Sequence, residues 1–463
     1  MYIEQLYTSC LAEAAYYIES NGEAAIIDPL RETEPYLKKA AERSARIKYV
    51  FETHFHADFV SGHIDLARKS GAQIIYGPQA HTAYDVINAR DGEEFRIGAL
   101  RIRTLHTPGH TLESTCYLLI DPDGNPHAIF TGDTLFVGDV GRPDLLDGVM
   151  TKEALASMMY DSLNNKIKTL PDAVIVYPAH GPGSACGKSL GKETFSTIGI
   201  QKQTNYALQN MTREQFIAQV TDGLSAPPKY FFEDARINRE GYDPVDEVIS
   251  HNAHPLSAAE VENLKAEGVL ILDTRNADVF EKGFIPGSLN IGLNGMFAVW
   301  VGTLVDIERP LVMVTEPGKE QESVLRLARV GYEKVAGYLD GGFETWKQAA
   351  KPIETVTSMA PEDIRTCYGD SGHIILDVRK PSEYEHEHIK GAINIQLSEL
   401  GNRLAELDKS KAYVVHCAAG YRSMMAASIL KANGIFNFRN VTNGWNGIKK
   451  TDLPTESAIP ELA

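Results

Sequence analysis

The sequence predicts an α/β protein of about three domains, on the strength of its length, its composition and its strand–helix pattern. The chain has 463 residues, and roughly 150 residues per domain gives about three domains. A hydrophobic share of 43% and a charged share of 23% are ordinary for globular domains, so each domain can bury a core of its own. In the C-terminal half, short apolar strands alternate with helical stretches, which is typical of parallel α/β sheets.

The charge argues against two classes of partner, and the cysteine content indicates the compartment. The formal net charge is -17, and an acidic surface repels phosphate backbones and anionic lipid, so neither nucleic acid nor a membrane is an expected partner. No run approaches the ~18 apolar residues of a membrane span, and the N-terminus lacks the basic start of a targeting peptide. Five cysteines without a CxxC motif indicate a reducing compartment. We therefore expect a cytoplasmic protein, and a homo-oligomer stays open.

An internal repeat divides the C-terminal half. LDTRNADVFEKGFIPGSLNI begins at Leu272 and LDVRKPSEYEHEHIKGAINI begins at Leu376. In each copy a buried-type strand precedes the first aspartate, and a second apolar strand follows, LVMVT in one and YVVHC in the other. The repeat predicts two tandem α/β domains with parallel sheets, over 258–356 and 357–463, after a separate domain over 1–250.

The first 250 residues show a different pattern. Short apolar strands such as EAAIID, YVFETH, HAIFTGD and VIVYPAHG are followed by loops that carry histidine or aspartate. Loops at strand ends are where layered folds build their sites. The stretch 224–244 is rich in proline and charge, and we expect a connector there.

Four motifs in this domain contain residue types that bind metals. They are THFHADFVSGH with His54, His56 and Asp58, TPGHT with His110, FTGDTLF with Asp133, and PAHGPGS with His180. Imidazoles and a carboxylate suit zinc, iron or manganese. The set, in this order over about 1–240, resembles the metallo-β-lactamase superfamily. That resemblance implies an αββα sandwich at the N-terminus, ahead of the two α/β domains.

One position departs from the two-metal pattern of the hydrolases in that superfamily. Their HxHxDH motif ends in a histidine that helps to hold a second metal, and this chain has Phe59 there. HADFVSGH, FVGDVGRPDL and HGPGSACG are similar to the persulfide dioxygenases of that superfamily. This resemblance implies one iron(II) per chain, held by His54, His110 and Asp133 as a facial triad with open positions, with zinc as the alternative. It also implies that three further residues orient these ligands from outside the metal, namely His56, Asp58 and His180.

Three residues are candidates for the substrate pocket. The guanidinium of Arg142 suits the carboxylate of a thiol carrier such as glutathione; the alternative is a loop salt bridge with Asp139 or Asp144. Tyr177 offers a hydroxyl beside PAHG. Cys186 is either a thiol that carries persulfide near the metal or a small buried residue.

The second repeat contains a reactive-cysteine loop. Cys417-Ala-Ala-Gly420-Tyr421-Arg422-Ser423 lies between a strand and a helix and is similar to the rhodanese active-site loop, as both repeats are to rhodanese domains. The helix N-terminus and Arg422 favour the thiolate of Cys417, and Gly420 lets the loop curl. The first repeat has Thr315 in place of the cysteine, and a hydroxyl cannot carry sulfane sulfur, so we predict that this domain is inactive.

Together these resemblances imply a persulfide dioxygenase–sulfurtransferase fusion that serves sulfide detoxification. Its small-molecule partners would be a persulfide, plausibly glutathione persulfide, with O₂ and sulfite, and Cys417 would form or use thiosulfate. One alternative is a zinc thioester hydrolase of the glyoxalase II class with a sulfur-carrier rhodanese tail. A second is a non-catalytic sulfur-carrier scaffold.

Overall fold

The structure is a computed structural model, and it describes residues 1–146, 148–224 and 226–457. The chain forms two compact units. One consists of residues 1–248 with 327–331, and the other of residues 249–326 with the chain from residue 332 onward. Among the described residues, no helix combines the length and the apolar character that crossing a membrane requires.

The first unit is built on two six-stranded mixed sheets. One sheet runs in the order β1 to β6, with antiparallel pairing from β1 to β3 and parallel pairing after that. Its strands are β1 Tyr2–Thr8, β2 Glu13–Ser20, β3 Glu23–Ile27, β4 Arg46–Phe51, β5 Gln73–Tyr76 and β6 Ile87–Asn88. The other sheet runs β12-β11-β10-β9-β8-β7 and is parallel between β10 and β11. Its strands are β7 Glu94–Ile97, β8 Leu100–His106, β9 Thr115–Ile120, β10 Pro126–Gly132, β11 Ile175–Pro178 and β12 Ser196–Thr197.

Helices cover the outer faces of both sheets. Residues of α1 and α2 pack on the first sheet, and residues of α3, α4 and α5 pack on the second. Between the sheets lies a third apolar layer that includes Tyr16, Phe51, Tyr117 and Phe130. The helices are α1 Glu34–Glu42, α2 His63–Ser70, α3 Lys152–Ser162, α4 Ile198–Thr204, α5 Arg213–Thr221, α6 Tyr230–Glu240 and α7 Val245–Asn252, with a π-helix at Leu163–Ile167 and a 3₁₀ helix at Tyr206–Leu208. These layers confirm the predicted αββα sandwich.

The second unit contains two five-stranded parallel sheets of the same strand order. The first, β13-β17-β16-β14-β15, consists of β13 Pro255–Leu256, β14 Leu270–Asp273, β15 Leu289–Asn290, β16 Leu311–Val314 and β17 Val335–Leu339. The second, β18-β23-β22-β19-β21, consists of β18 Ser358–Met359, β19 His373–Asp377, β21 Ile393–Asn394, β22 Ala412–His416 and β23 Phe438–Val441. A small antiparallel pair joins β20 His388–Ile389 to β24 Thr455–Glu456. The predicted α/β class with parallel sheets is confirmed.

The helices of this unit follow the strands in each copy. In the first copy they are α8 Ala258–Ala266, α9 Ala277–Phe280, α10 Phe297–Leu304, α11 Glu320–Ala328 and α12 Gly342–Gln348. In the second they are α13 Pro381–His386, α14 Leu397–Leu400, α15 Tyr421–Ala432 and α16 Gly444–Ile448, with 3₁₀ helices at Pro361–Thr366 and Leu404–Glu406. The helix α8 begins with a capping box, in which Ser257 and Glu260 bond each other's backbone N–H.

Both copies keep one buried polar network at the end of the second strand. An aspartate accepts two hydrogen bonds from the side chain of an arginine two residues later, and an asparagine further along donates to the backbone carbonyls of both. The residues are Asp273, Arg275 and Asn290 in the first copy, and Asp377, Arg379 and Asn394 in the second. Since the network is the same in both, it belongs to the framework of the fold.

Candidate functional site

The candidate metal ligands come from strand ends across the first unit. His54 and His56 follow β4, and His110 follows β8. Asp133 follows β10, and His180 follows β11. All five side chains are buried. The fold therefore gathers residues that are far apart in the sequence at one edge of the sandwich.

Three of these residues form a compact donor set. The ligand atoms of His54, His110 and Asp133 lie within 4.8 Å of one another. Asp133 Oδ2 is 3.4 Å from His110 Nε2 and 3.8 Å from His54 Nε2. None of these atoms has a hydrogen-bond partner among the described residues. Unsatisfied buried polar atoms are costly, and a shared cation is the natural partner for two imidazoles and a carboxylate. The donor set therefore fits a metal ion.

The outer ring nitrogens fix the orientation of the two imidazoles. His110 Nδ1 lies 2.8 Å from the backbone carbonyl of Arg142 and donates to it. His54 Nδ1 lies 3.0 Å from Thr53 Oγ1, which itself donates to Asp28. Both rings thereby turn Nε2 toward Asp133. Burial lowers the pKa of His54 well below its ordinary value, so its imidazole is neutral, as metal ligation requires.

A second donor set adjoins the first. The ligand atoms of His56, Asp58 and His180 also lie within 4.8 Å of one another. His180 Nε2 is 3.5 Å from both Asp58 Oδ2 and Asp133 Oδ1, so it joins the two sets. Phe59 is buried with its ring 4.3 Å from that of His56, and it supplies no ligand atom. That these three residues only orient the ligands stays a prediction.

One supporting residue was not anticipated from the sequence. Asn238 donates to the backbone carbonyls of His56 and Phe59, at 2.8 Å each, and accepts from the N–H of Ser61. It lies on α6, inside the stretch 224–244 interpreted as a connector, and the connecting role stays a prediction. Asn238 thus holds the loop that follows β4, although it lies 182 positions after His56 in the sequence. No local sequence pattern predicts such a contact.

The three candidate substrate residues have different surroundings. Cys186 is buried, and its Sγ lies within 4.8 Å of ligand atoms of Asp133 and His180. The guanidinium of Arg142 pairs with Asp144, at 2.6 and 2.8 Å, as in the salt-bridge alternative. Tyr177 stacks on an aromatic ring of the layer between the sheets. The structure thus brings Cys186 to the donor sets, while substrate contact by Arg142 and Tyr177 stays a prediction.

In the cysteine loop of the second copy, polar groups surround the cysteine sulfur. Cys417 follows β22 and precedes α15, and only 1% of its surface is exposed. Its Sγ accepts from the N–H of Gly420 at 3.1 Å and lies 3.6 Å from Ser423 Oγ. Gly420 has a φ of +105°, which favours glycine. Arg422 forms a bidentate pair with Glu383, at 2.6 and 2.8 Å. The loop offers hydrogen-bond donors to a sulfur anion, with a paired arginine alongside.

The equivalent loop of the first copy is differently charged. Thr315 is buried at the end of β16. Beside it opens a cavity of about 240 Å³ whose lining includes Glu316, Lys319, Glu322 and Arg326. Both basic side chains pair with Glu322. The lining of this cavity contains no thiol, and its two basic side chains share one carboxylate.

Comparison with known proteins agrees with this architecture. The profile of the metallo-beta-lactamase superfamily matches residues 9–180, and that of the rhodanese-like domain matches 257–349 and 361–451. A crystal structure of a metallo-beta-lactamase from Staphylococcus aureus subsp. aureus COL is 31% identical, with a TM-score of 0.65, over 73% of this chain and 98% of that one. This chain belongs to the metallo-beta-lactamase superfamily. Its C-terminal half consists of two rhodanese-like domains, so the resemblances found in the sequence are confirmed.

Relatives of the metallo-beta-lactamase domain carry two kinds of name. The mitochondrial persulfide dioxygenase of Homo sapiens is 34% identical over 209 residues, 44% of this chain and 73% of that protein. A probable hydroxyacylglutathione hydrolase of Schizosaccharomyces pombe is 34% identical over 165 residues, 35% of this chain. The chain spans 60% of the length of that hydrolase. The relatives of this domain thus include both a dioxygenase and a hydrolase.

Proposed function

We propose that this chain is an iron(II)-dependent persulfide dioxygenase joined to a working sulfurtransferase domain. In the overall reaction a persulfide, O₂ and water give a thiol, sulfite and two protons, so the outer sulfur is oxidised and O₂ is reduced. The observation that carries the proposal is the donor set of His54, His110 and Asp133. Two imidazoles and one carboxylate are the protein ligands that non-haem iron(II) oxygenases use.

The residues around this donor set have distinct tasks in the proposal. Iron, when bound, would supply the one-electron and O₂ chemistry that side chains lack. The carbonyl of Arg142 and the hydroxyl of Thr53 hold the two imidazoles in place. Cys186 places a thiol beside the donor sets, where it would take the outer sulfur of a persulfide as the S–S bond breaks and the carrier thiol leaves. The likeness to the human persulfide dioxygenase supports this assignment.

Cys417 performs the second half of the proposed function. Its thiolate attacks the outer sulfur of thiosulfate, the S–S bond breaks, sulfite leaves, and the sulfur remains on Cys417 as a persulfide. In the reverse direction the same persulfide passes its sulfur to sulfite and gives thiosulfate. The N–H of Gly420 stabilises the anionic sulfur in either direction. Glutathione is the proposed thiol carrier, and cytoplasmic sulfide detoxification is the proposed setting.

A zinc thioester hydrolase is the second candidate, and one observation favours it. His56, Asp58 and His180 gather as a further donor set, although Phe59 supplies no ligand. Two-metal hydrolysis would use a metal-activated water instead of O₂. The hydroxyacylglutathione hydrolase relatives support this alternative. In that case the rhodanese-like domains would act as a sulfur-carrier tail.

The deciding experiment combines metal analysis with substrate assays. Anaerobically purified protein is analysed for iron and zinc, then assayed for O₂ uptake with glutathione persulfide and for hydrolysis of S-lactoylglutathione. We expect one iron per chain, O₂ uptake and no hydrolysis. His110→Ala should abolish the uptake, whereas His106→Ala, which changes the last residue of the preceding strand, whose side chain bonds the carbonyl of Leu112, should retain it. Two zinc ions per chain with thioester hydrolysis would overturn the proposal.

A further inference from the structure

The first rhodanese-like domain touches the sulfur-transfer loop of the second. Its segment Gly292-Leu-Asn-Gly295 follows β15, and Tyr421 is the first residue of α15, directly after Gly420. The hydroxyl of Tyr421 donates to the carbonyl of Gly292 at 2.7 Å. The cysteine-free domain therefore holds a residue that lies inside the CAAGYRS motif.

Gly295 of that segment makes room for the tyrosine ring, and Gly292 lies in ordinary contact with it. A Cβ added at Gly295 would lie 2.5 Å from Tyr421 Cζ and 2.7 Å from its Cε1, and one added at Gly292 would lie 3.6 Å from its Cε2. Neither glycine is among the residues of positive φ, so the backbone does not demand them. In the second copy the equivalent positions hold Gln396 and Glu399. The fold tolerates side chains there, and at Gly295 the Tyr421 ring is what excludes one.

A second contact fixes the same helix further along. The N–H of Asn290 donates to Ser428 Oγ at 3.1 Å, and both residues are buried. Ser428 lies seven residues after Tyr421, which is about two helical turns. The first domain thus holds α15 at its first residue and again two turns later.

We propose that the cysteine-free rhodanese-like domain positions the sulfur-transfer loop of its neighbour, with Tyr421 as the positioning residue. Gly420, whose N–H bonds Cys417 Sγ at 3.1 Å, is joined to Tyr421 by one peptide bond. A shift of the tyrosine therefore moves the donor that stabilises the sulfur anion. The inference rests on the proposed role of Cys417 and gives the inactive domain a task of its own.

The main test adds one methyl group in the first domain and reads its effect at Cys417 in the second. In full-length Gly295→Ala, we expect Cys417 alkylation at neutral pH, measured by peptide mass analysis, to slow about tenfold, because the added methyl group overlaps the Tyr421 ring and its displacement moves the Gly420 N–H away from Cys417 Sγ. The pH dependence of the alkylation rate in this variant should move toward higher pH. The matched control is Gly401→Ala, where an added Cβ meets nothing within 4 Å.

A second pair of variants removes only an oxygen. Tyr421→Phe loses the bond to Gly292 and should slow alkylation severalfold, while the melting temperature and O₂ uptake stay unchanged. Tyr368→Phe is its control, because it loses a similar hydroxyl-to-carbonyl bond at Lys390. This pair keeps the proposal testable if Gly295→Ala fails to fold.

The double variant Gly295→Ala/Tyr421→Ala closes the test. Without the ring, the three atoms nearest to the added methyl group are gone, so the double variant should match Tyr421→Ala alone. The proposal is overturned if Gly295→Ala behaves like Gly401→Ala, or if the two effects multiply. Alkylation needs no sulfur donor, so this result is independent of whether Cys417 transfers sulfur. Absence of thiosulfate turnover in the unmodified protein would instead count against the proposed function.

Discussion

The two rhodanese-like domains share a framework and differ in one loop. Both have five parallel strands in the same order and the same buried Asp–Arg–Asn network. They diverge after the central strand, where one has Cys417 with Arg422 and the other has Thr315 with Glu320. The network is therefore a property of the fold that is present whether or not the loop carries a reactive cysteine.

The largest expected effect separates the two loops. Cys417→Ser should abolish sulfur transfer from thiosulfate, because a hydroxyl cannot hold sulfane sulfur, while O₂ uptake with added glutathione persulfide continues. Thr315→Ser, the matched change in the other domain, should leave both activities intact. Sulfite release from thiosulfate and O₂ consumption are the measurements. Loss of O₂ uptake in Cys417→Ser would mean that the two activities are not separable.

The next prediction tests the shared framework. Asp273→Ala and Asp377→Ala each leave a buried arginine without its carboxylate, and breaking such a pair costs about 3–5 kcal/mol. We expect both variants to lose similar amounts of stability in urea unfolding. A large loss in one domain and none in the other would show that the networks are not equivalent.

A smaller effect is expected from the paired arginine of the active loop. Arg422→Gln removes the bidentate pair with Glu383 and the positive charge near Cys417. Charge-assisted hydrogen bonds contribute about 1.5–3 kcal/mol, so we expect at least a roughly tenfold fall in sulfur-transfer kcat/KM. Glu320→Gln, at the equivalent position of the first domain, should have no effect. Equal effects of the two variants would place the charge requirement elsewhere.

The smallest effect concerns pH. Burial lowers the pKa of His416 below its ordinary value of 6.5, and the first domain has Val314 at that position. The unfolded chain then binds a proton more readily than the folded one, so stability is lost as pH falls below 6.5. His416→Val should make the melting temperature less sensitive to pH from neutral to mildly acidic conditions. An unchanged dependence would show that other groups control it.

Local sequence patterns predicted the strand ends that carry His54, His110 and Asp133, and the family resemblance carried by the short motifs implied the layers of the fold. They did so because strand periodicity and short motifs are local properties. Such patterns did not predict contacts between distant segments. Asn238 donates a hydrogen bond to the carbonyl of His56 across 182 positions, and Tyr421 donates one to the carbonyl of Gly292 across 129 positions. Neither has a sequence signature, since each depends on how separate elements pack.

The unsatisfied nitrogens and oxygens that face one another in the donor sets have a consequence for handling the protein. Each of these atoms has lost its hydration without gaining a hydrogen bond, and a bound cation would compensate for that loss. Metal binding and folding of the N-terminal unit should therefore be thermodynamically linked. In protein produced in metal-poor medium, or dialysed against a chelator, the N-terminal unit should unfold at a lower temperature than the two rhodanese-like domains. Re-metallation should then raise its melting point with added iron.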